Sequence, residues 1–185
     1  MTSHVGYGRW GVIPEGTRSA LLDFYYYLMM LCHYLTPLNV VILKDVTDRD
    51  TVFTRLTEEL CKHNSIRNEK RLAQAILDRE YEGSTFLPTG IAIPHARVTD
   101  VEEITLVAGV VPGGFKETPD SDPTYMIILF FSPVKEKEFG RHLKLLAKIS
   151  SVFRDPSFVK ETASLGDIDK IFSAIQQKER EMIEE

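Results

Sequence analysis

The continuous apolar run Tyr125-Met126-Ile127-Ile128-Leu129-Phe130-Phe131 constrains the fold more than any other stretch of the chain. A strand with one wet face alternates apolar and polar residues. A strand that is apolar at every position needs cover on both faces. The rest of the chain supplies that cover. Val52, Phe53, Leu56 and Leu60 follow helical spacing and predict a helix from an Asp48 N-cap to about residue 63. Leu72, Ala73, Ile76 and Leu77 predict a second helix over residues 69–79. A third is expected over residues 136–153, and two short ones over 156–163 and 168–178. Further strands are expected at 91–93 and 104–111, and a short strand or buried turn at 40–43, with a loop over 83–89 and a turn at Pro112-Gly113-Gly114. The expected fold class is α/β, a small mixed β-sheet flanked by helices.

The segment Gly90-Ile91-Ala92-Ile93-Pro94-His95-Ala96-Arg97 carries the chemistry. Proline fixes its own φ, lacks a backbone donor and pushes the preceding residue towards extended geometry. The expected result is a strand that stops at Pro94 and presents the His95 imidazole in a turn at its rim. A side chain held at the end of a core strand is rigid yet reaches solvent, as a reactive group requires. An isolated Pro-His is ordinarily just a turn histidine, so the surrounding residues decide.

Those residues carry a resemblance. Leu77-Asp78-Arg79-Glu80, then Ser84-Thr85, then Gly90-Ile91-Ala92-Ile93-Pro94-His95, then Arg141-His142-Leu143-Lys144-Leu145-Leu146-Ala147 occur in this order. Together they resemble the fructose/mannitol-type (type 2) enzyme IIA domains of the bacterial phosphoenolpyruvate-dependent phosphotransferase system, including their nitrogen-regulatory relatives. The resemblance covers residues 31–178. One departure is Leu87-Pro88-Thr89, where many relatives have a glycine-rich turn. The resemblance implies that His95 is phosphorylated, that His142 is a second active-site histidine, and that Arg79 faces the phosphoryl group. Ser84, Thr85 and Arg97 are further phosphoryl-binding candidates. It also implies HPr as phosphoryl donor and an enzyme IIB domain or a regulatory target protein as acceptor. No cofactor and no metal are expected. A zinc site from Cys61, His63, His95 and His142 lacks the compact spacing of such sites.

Helical periodicity places His142. At 3.6 residues per turn, His142, Leu146, Ile149 and Phe153 share a stripe, bordered by Phe139 and Leu143. Lys137, Arg141, Lys144 and Lys148 fall opposite, on an expected solvated face. A histidine on a core-facing stripe is usually a hydrogen-bonded core residue; the resemblance instead sets His142 beside His95.

Composition bounds the partners. Net charge is −5, from 22 basic against 27 acidic residues, which argues against general nucleic-acid binding. Cys32 and Cys61 show neither metal spacing nor a disulfide framework, as suits a reducing cytosol. The apolar residues 20–35 fall short of the roughly 20 that a spanning helix needs and include Asp23. A cytoplasmic protein is therefore expected, reaching membranes through partners, with no direct membrane span. The expected organisation is an N-terminal extension over 1–30, a domain over 31–178 and a charged tail over 179–185. The aromatic cluster Phe24–Tyr27 offers a contact for a homodimer. Three functional readings follow: a sugar-transport phosphocarrier, a nitrogen-regulatory switch that binds kinases or transporters according to phosphorylation state, and an interaction domain without catalysis. No IIB-like cysteine motif or membrane-embedded segment accompanies the domain, so the chain alone is not expected to transport sugar. Retention of both His95 and His142 speaks against the third reading.

Overall fold

The apolar run becomes the centre of the sheet. In the computed structural model, which describes residues 30–46 and 48–184, strand β6 (Thr124–Pro133) is buried at almost every position. Along one edge it pairs antiparallel with β5 (Thr105–Phe115). Along the other it pairs parallel with β3 (Ile91–Ala92) and β4 (His95–Val98). Strand β1 (Val40–Ile42) lies parallel to β5, and β2 (Phe86–Leu87) antiparallel to β3. The result is the expected mixed sheet, with six strands. Residues 1–29 of the expected N-terminal extension, with the aromatic cluster Phe24–Tyr27, lie outside the described residues.

Alternation along β6 sorts the core into two layers. Met126, Ile128 and Phe130 pack with α3 (Glu136–Val152), α4 (Pro156–Ser164), α5 (Ile168–Glu184) and the 3-10 residues around Leu31 and Leu35. Ile127, Leu129 and Phe131 pack with α1 (Arg49–Asn64) and α2 (Glu69–Glu82). Phe130 and Phe131 are both fully buried, each contributing on the order of 1.5–3 kcal/mol relative to an exposed side chain. The α1 start is the expected one: the Asp48 side chain accepts from Thr51 N at 2.8 Å.

Four local expectations need correction. The loop over 83–89 contains β2, which forms a short hairpin with β3 through a turn in which Gly90 adopts φ +88° and donates to Leu87 O at 3.1 Å. That positive φ suits glycine and tolerates other residues poorly. Pro112-Gly113-Gly114 does not end its strand. β5 runs on to Phe115, opposite Thr124, with an irregularity after Val110. Gly114, at φ +73°, lies within that irregularity, and a Cβ there would meet the Tyr125 ring at 2.9 Å. The third correction concerns Pro94 and belongs to the site below. The fourth concerns residues 179–184, expected as a charged tail. They continue α5, because Glu179 is fully buried and accepts from Leu31 N at 2.6 Å and Cys32 N at 2.9 Å. These bonds satisfy free donors at the start of the first 3-10 turn.

Candidate functional site

His95 does not sit in a turn. β3 and β4 keep one register against β6: Ala92 opposes Ile127 and His95 opposes Phe130. They are a single extended run, interrupted where Pro94 lacks a donor; the Pro94 carbonyl still accepts from Phe130 N at 3.1 Å. The proline thus breaks the ladder without turning the chain. Alternation then carries Ile91, Ile93, His95 and Arg97 to the α3 side, while Ala96 and Val98 join the opposite core.

The His95 ring stacks on Phe130 at 5.5 Å between centroids and 16° between planes. Its Nδ1 lies 2.7 Å from Ile93 O. A carbonyl only accepts, so Nδ1 carries the proton and Nε2 keeps its lone pair. Burial holds the His95 pKa below the usual 6.5; the Ile93 carbonyl opposes this, and the Arg79 charge adds to it. The ring is therefore neutral near pH 7.

His142 enters from α3, its ring centroid 5.3 Å from that of His95. The buried stripe of α3 is His142, Leu145, Ile149 and Val152; Leu146 is only partly covered and Leu143 is exposed. Phe153 is buried just beyond the helix end. His142 is 5% exposed, and its pKa falls to about 4, through burial first and then through His95, Arg97 and Arg79.

Beneath His142 lies Ser132, fully buried, with Oγ 2.7 Å from His142 Nδ1. Sequence reasoning missed it. The available signal was a hydroxyl at the next alternate position after Met126, Ile128 and Phe130, where another apolar residue is expected.

Arg97 stands on the His95 side of β4. Its guanidinium lies 4.9 Å from the Phe139 ring centroid and donates through Nη2 to Val134 O at 3.0 Å and Lys135 O at 3.2 Å. Its Nε is buried with no hydrogen-bond partner among the described residues. Phe139 in turn lies nearly parallel to His142, at 6.4 Å and 11°. Arg79, in the last turn of α2, donates to Gly83 O at 3.0 Å and acts electrostatically on both histidines. Ser84 is exposed and accepts from Phe86 N at 3.3 Å.

Thr85 is committed elsewhere: its hydroxyl donates to Glu80 Oε2 at 2.6 Å and its N–H to Glu80 Oε1 at 3.0 Å. Glu80, 4% exposed, is a second residue the sequence reading left without a role. It anchors the loop whose Thr85 carbonyl accepts from Ile93 N at 3.0 Å, two residues before His95.

The site thus holds two neutral imidazoles, one with a free lone pair, beside two guanidiniums and an exposed aromatic ring. That set suits an electrophile surrounded by anionic oxygens.

The family model for the "Phosphoenolpyruvate-dependent sugar phosphotransferase system, EIIA 2" matches residues 33–178. A nitrogen regulatory protein of Bradyrhizobium diazoefficiens is 31% identical over 109 residues, covering 58% of this chain and 70% of that protein. The fructose-specific EIIABC component of the Bacillus subtilis system is 25% identical over 153 residues, covering 82% of this chain but 24% of that much longer one. A chain of the Escherichia coli complex between enzyme IIAMTL and phosphorylated enzyme IIBMTL shares the fold, with a TM-score of 0.64 at 19% identity, covering 77% of this chain and 97% of that one.

Proposed function

Because the chain belongs to the type 2 enzyme IIA family of the phosphoenolpyruvate-dependent sugar phosphotransferase system, and so is a phosphotransferase component, we propose that it works as a phosphohistidine carrier with His95 Nε2 as the acceptor atom. The bond between His95 Nδ1 and Ile93 O carries this reading. It leaves the lone pair on Nε2, on a ring that burial keeps neutral.

The His95 Nε2 lone pair attacks the phosphorus of a phosphohistidine on HPr. The Nε2–P bond forms as the donor's P–N bond breaks, and the bonding pair returns to the donor imidazole. The transition state is loose, with charge spread over three equatorial oxygens, so catalysis is mainly positioning and electrostatic stabilisation. Arg79 and Arg97 supply positive charge, Arg97 with its Nε still unpaired among the described residues. His142 donates a hydrogen bond to the transferring oxygens. Ser84 is a further donor from the loop. Thr85, its hydroxyl turned to Glu80, acts by shaping that loop. His95 then passes the phosphoryl group to a cysteine or histidine of an enzyme IIB domain. The likeness to a chain of the IIAMTL–phosphorylated IIBMTL complex supports that choice of acceptor.

A second reading rests on the nitrogen regulatory relative, which is 31% identical. In it, the same phosphorylation switches binding to a kinase or transporter. No helix among the described residues is long and apolar enough to cross a membrane. We place the protein in the cytoplasm, brought to membranes by its partners.

Intact-mass spectrometry after incubation with phosphoenolpyruvate, enzyme I and HPr tests the carrier reading. One acid-labile phosphoryl group on the wild type, and none on folded His95→Ala, is expected. Equal labelling of both proteins would overturn the assignment of His95.

A further inference from the structure

We propose that Ser132 is a positioning residue that fixes the tautomer of His142, keeping its proton on Nε2 so that this nitrogen donates to a phosphoryl group on His95. The role in transfer rests on the carrier reading above; the tautomer itself does not.

Two arrangements fit the 2.7 Å contact between Ser132 Oγ and His142 Nδ1. In one, the imidazole donates to the hydroxyl oxygen. The Ser132 proton then has no acceptor, because Oγ makes no other hydrogen bond among the described residues. Ser132 is fully buried, and an unpaired buried donor is costly. In the other, the hydroxyl donates to Nδ1, and both groups are satisfied by one bond. The second arrangement therefore holds. Nδ1 is an acceptor, and a neutral imidazole with its lone pair at Nδ1 carries its proton at Nε2. The ring stays neutral near pH 7 because burial and the neighbouring charges hold its pKa at about 4.

The two histidines are thus held in opposite tautomers by opposite partners. Ile93 O only accepts, which forces the proton of His95 onto Nδ1 and leaves Nε2 as nucleophile. Ser132 donates, which forces the proton of His142 onto Nε2. One ring attacks phosphorus, and the other stabilises the oxygens around it. Two rings in the same tautomer would offer two lone pairs or two donors, and neither pair both attacks and stabilises. The role also accounts for a fully buried hydroxyl at the far end of an apolar strand face. Met126, Ile128 and Phe130 fill the alternate positions before it, and the next buried position is a serine because it faces a histidine.

The test combines long-range 1H–15N spectra of the histidine rings with the rate of phosphoryl acceptance from phosphorylated HPr. It uses the full chain and its variants Ser132→Ala and Ser132→Thr. The wild type is expected to show His142 protonated at Nε2 and bare at Nδ1. In Ser132→Ala, the Nδ1-protonated form appears and acceptance slows about tenfold, the scale of losing a group that orients a reacting-site ligand. The threonine hydroxyl restores both. A wild-type His142 protonated at Nδ1, or a Ser132→Ala protein with unchanged spectra and rate, would overturn the proposal. A wild type that accepts no phosphoryl group would instead sink the carrier reading, and the ring spectra would still decide the tautomer.

Discussion

Acid should loosen this fold through one ring. His142 is 5% exposed and titrates at about 4 in the folded chain. In the unfolded chain it returns to the ordinary value near 6.5. Between these two values the unfolded state binds a proton that the folded state refuses, so stability falls as pH drops through that window. The loss is complete below about pH 4. The gap corresponds to about 3 kcal/mol at roughly 1.4 kcal/mol per pKa unit, a large share of the ~5–15 kcal/mol that holds a typical domain together. The depressed pKa of His95 acts in the same direction. His142→Gln provides the control: an amide bonds the Ser132 hydroxyl without titrating. Urea unfolding followed by circular dichroism, at several pH values from 7 to 4, gives stability curves for both proteins. Carboxylates titrate in both and cancel in the difference, as does any constant loss in the variant at pH 7. The wild type should lose about 3 kcal/mol more than the variant across the window. Parallel curves would refute the claim that the folded chain keeps His142 unprotonated through this window.

Two further outcomes follow from the contacts. Arg79→Ala should slow phosphoryl acceptance by about a hundredfold, the scale of one stabilising donor. It should also move the His95 and His142 titrations upward in ring 15N spectra, because the Arg79 charge lowers both; unmoved titrations would place Arg79 outside the site. Glu179→Ala leaves the buried Leu31 N–H and the partly buried Cys32 N–H without their acceptor. It should cost about 2–4 kcal/mol, read from the urea midpoint. A change below 0.5 kcal/mol, the size of an ordinary surface substitution, would show that this carboxylate does not anchor the chain around Leu31.

What the sequence disclosed and what it hid divide along the range of the interactions. Asp48 caps α1 through a bond to a residue three positions away, so local pattern reading finds it. Continuous apolarity over Tyr125–Phe131 implies two covered faces without knowledge of what covers them. Pro94 misleads for the same reason. Locally it reads as a stop, yet the strand resumes because β6 offers partners on both sides of it, and β6 lies more than thirty residues away. Gly113-Gly114 reads as a turn until Thr124 is seen opposite Phe115. Glu179 looks like part of a charged tail until Leu31 and Cys32 arrive from the other end of the chain.

The site follows the same division. His95 and His142 were legible as a motif and a stripe, but their tautomers are set by atoms that no local pattern reveals. β6 supplies those surroundings through the alternation that builds the core. Met126 and Ile128 bury their side chains under the helices; Phe130, two residues on, is the surface against which His95 stacks. Ser132, two further on, holds His142. One strand therefore sets the position of both rings, and a shift of its register by one residue would turn Phe130 and Ser132 to the opposite face together. In this fold the register that fills the core also arms the site, so a substitution that slips β6 should abolish phosphoryl transfer even where every histidine and arginine is retained.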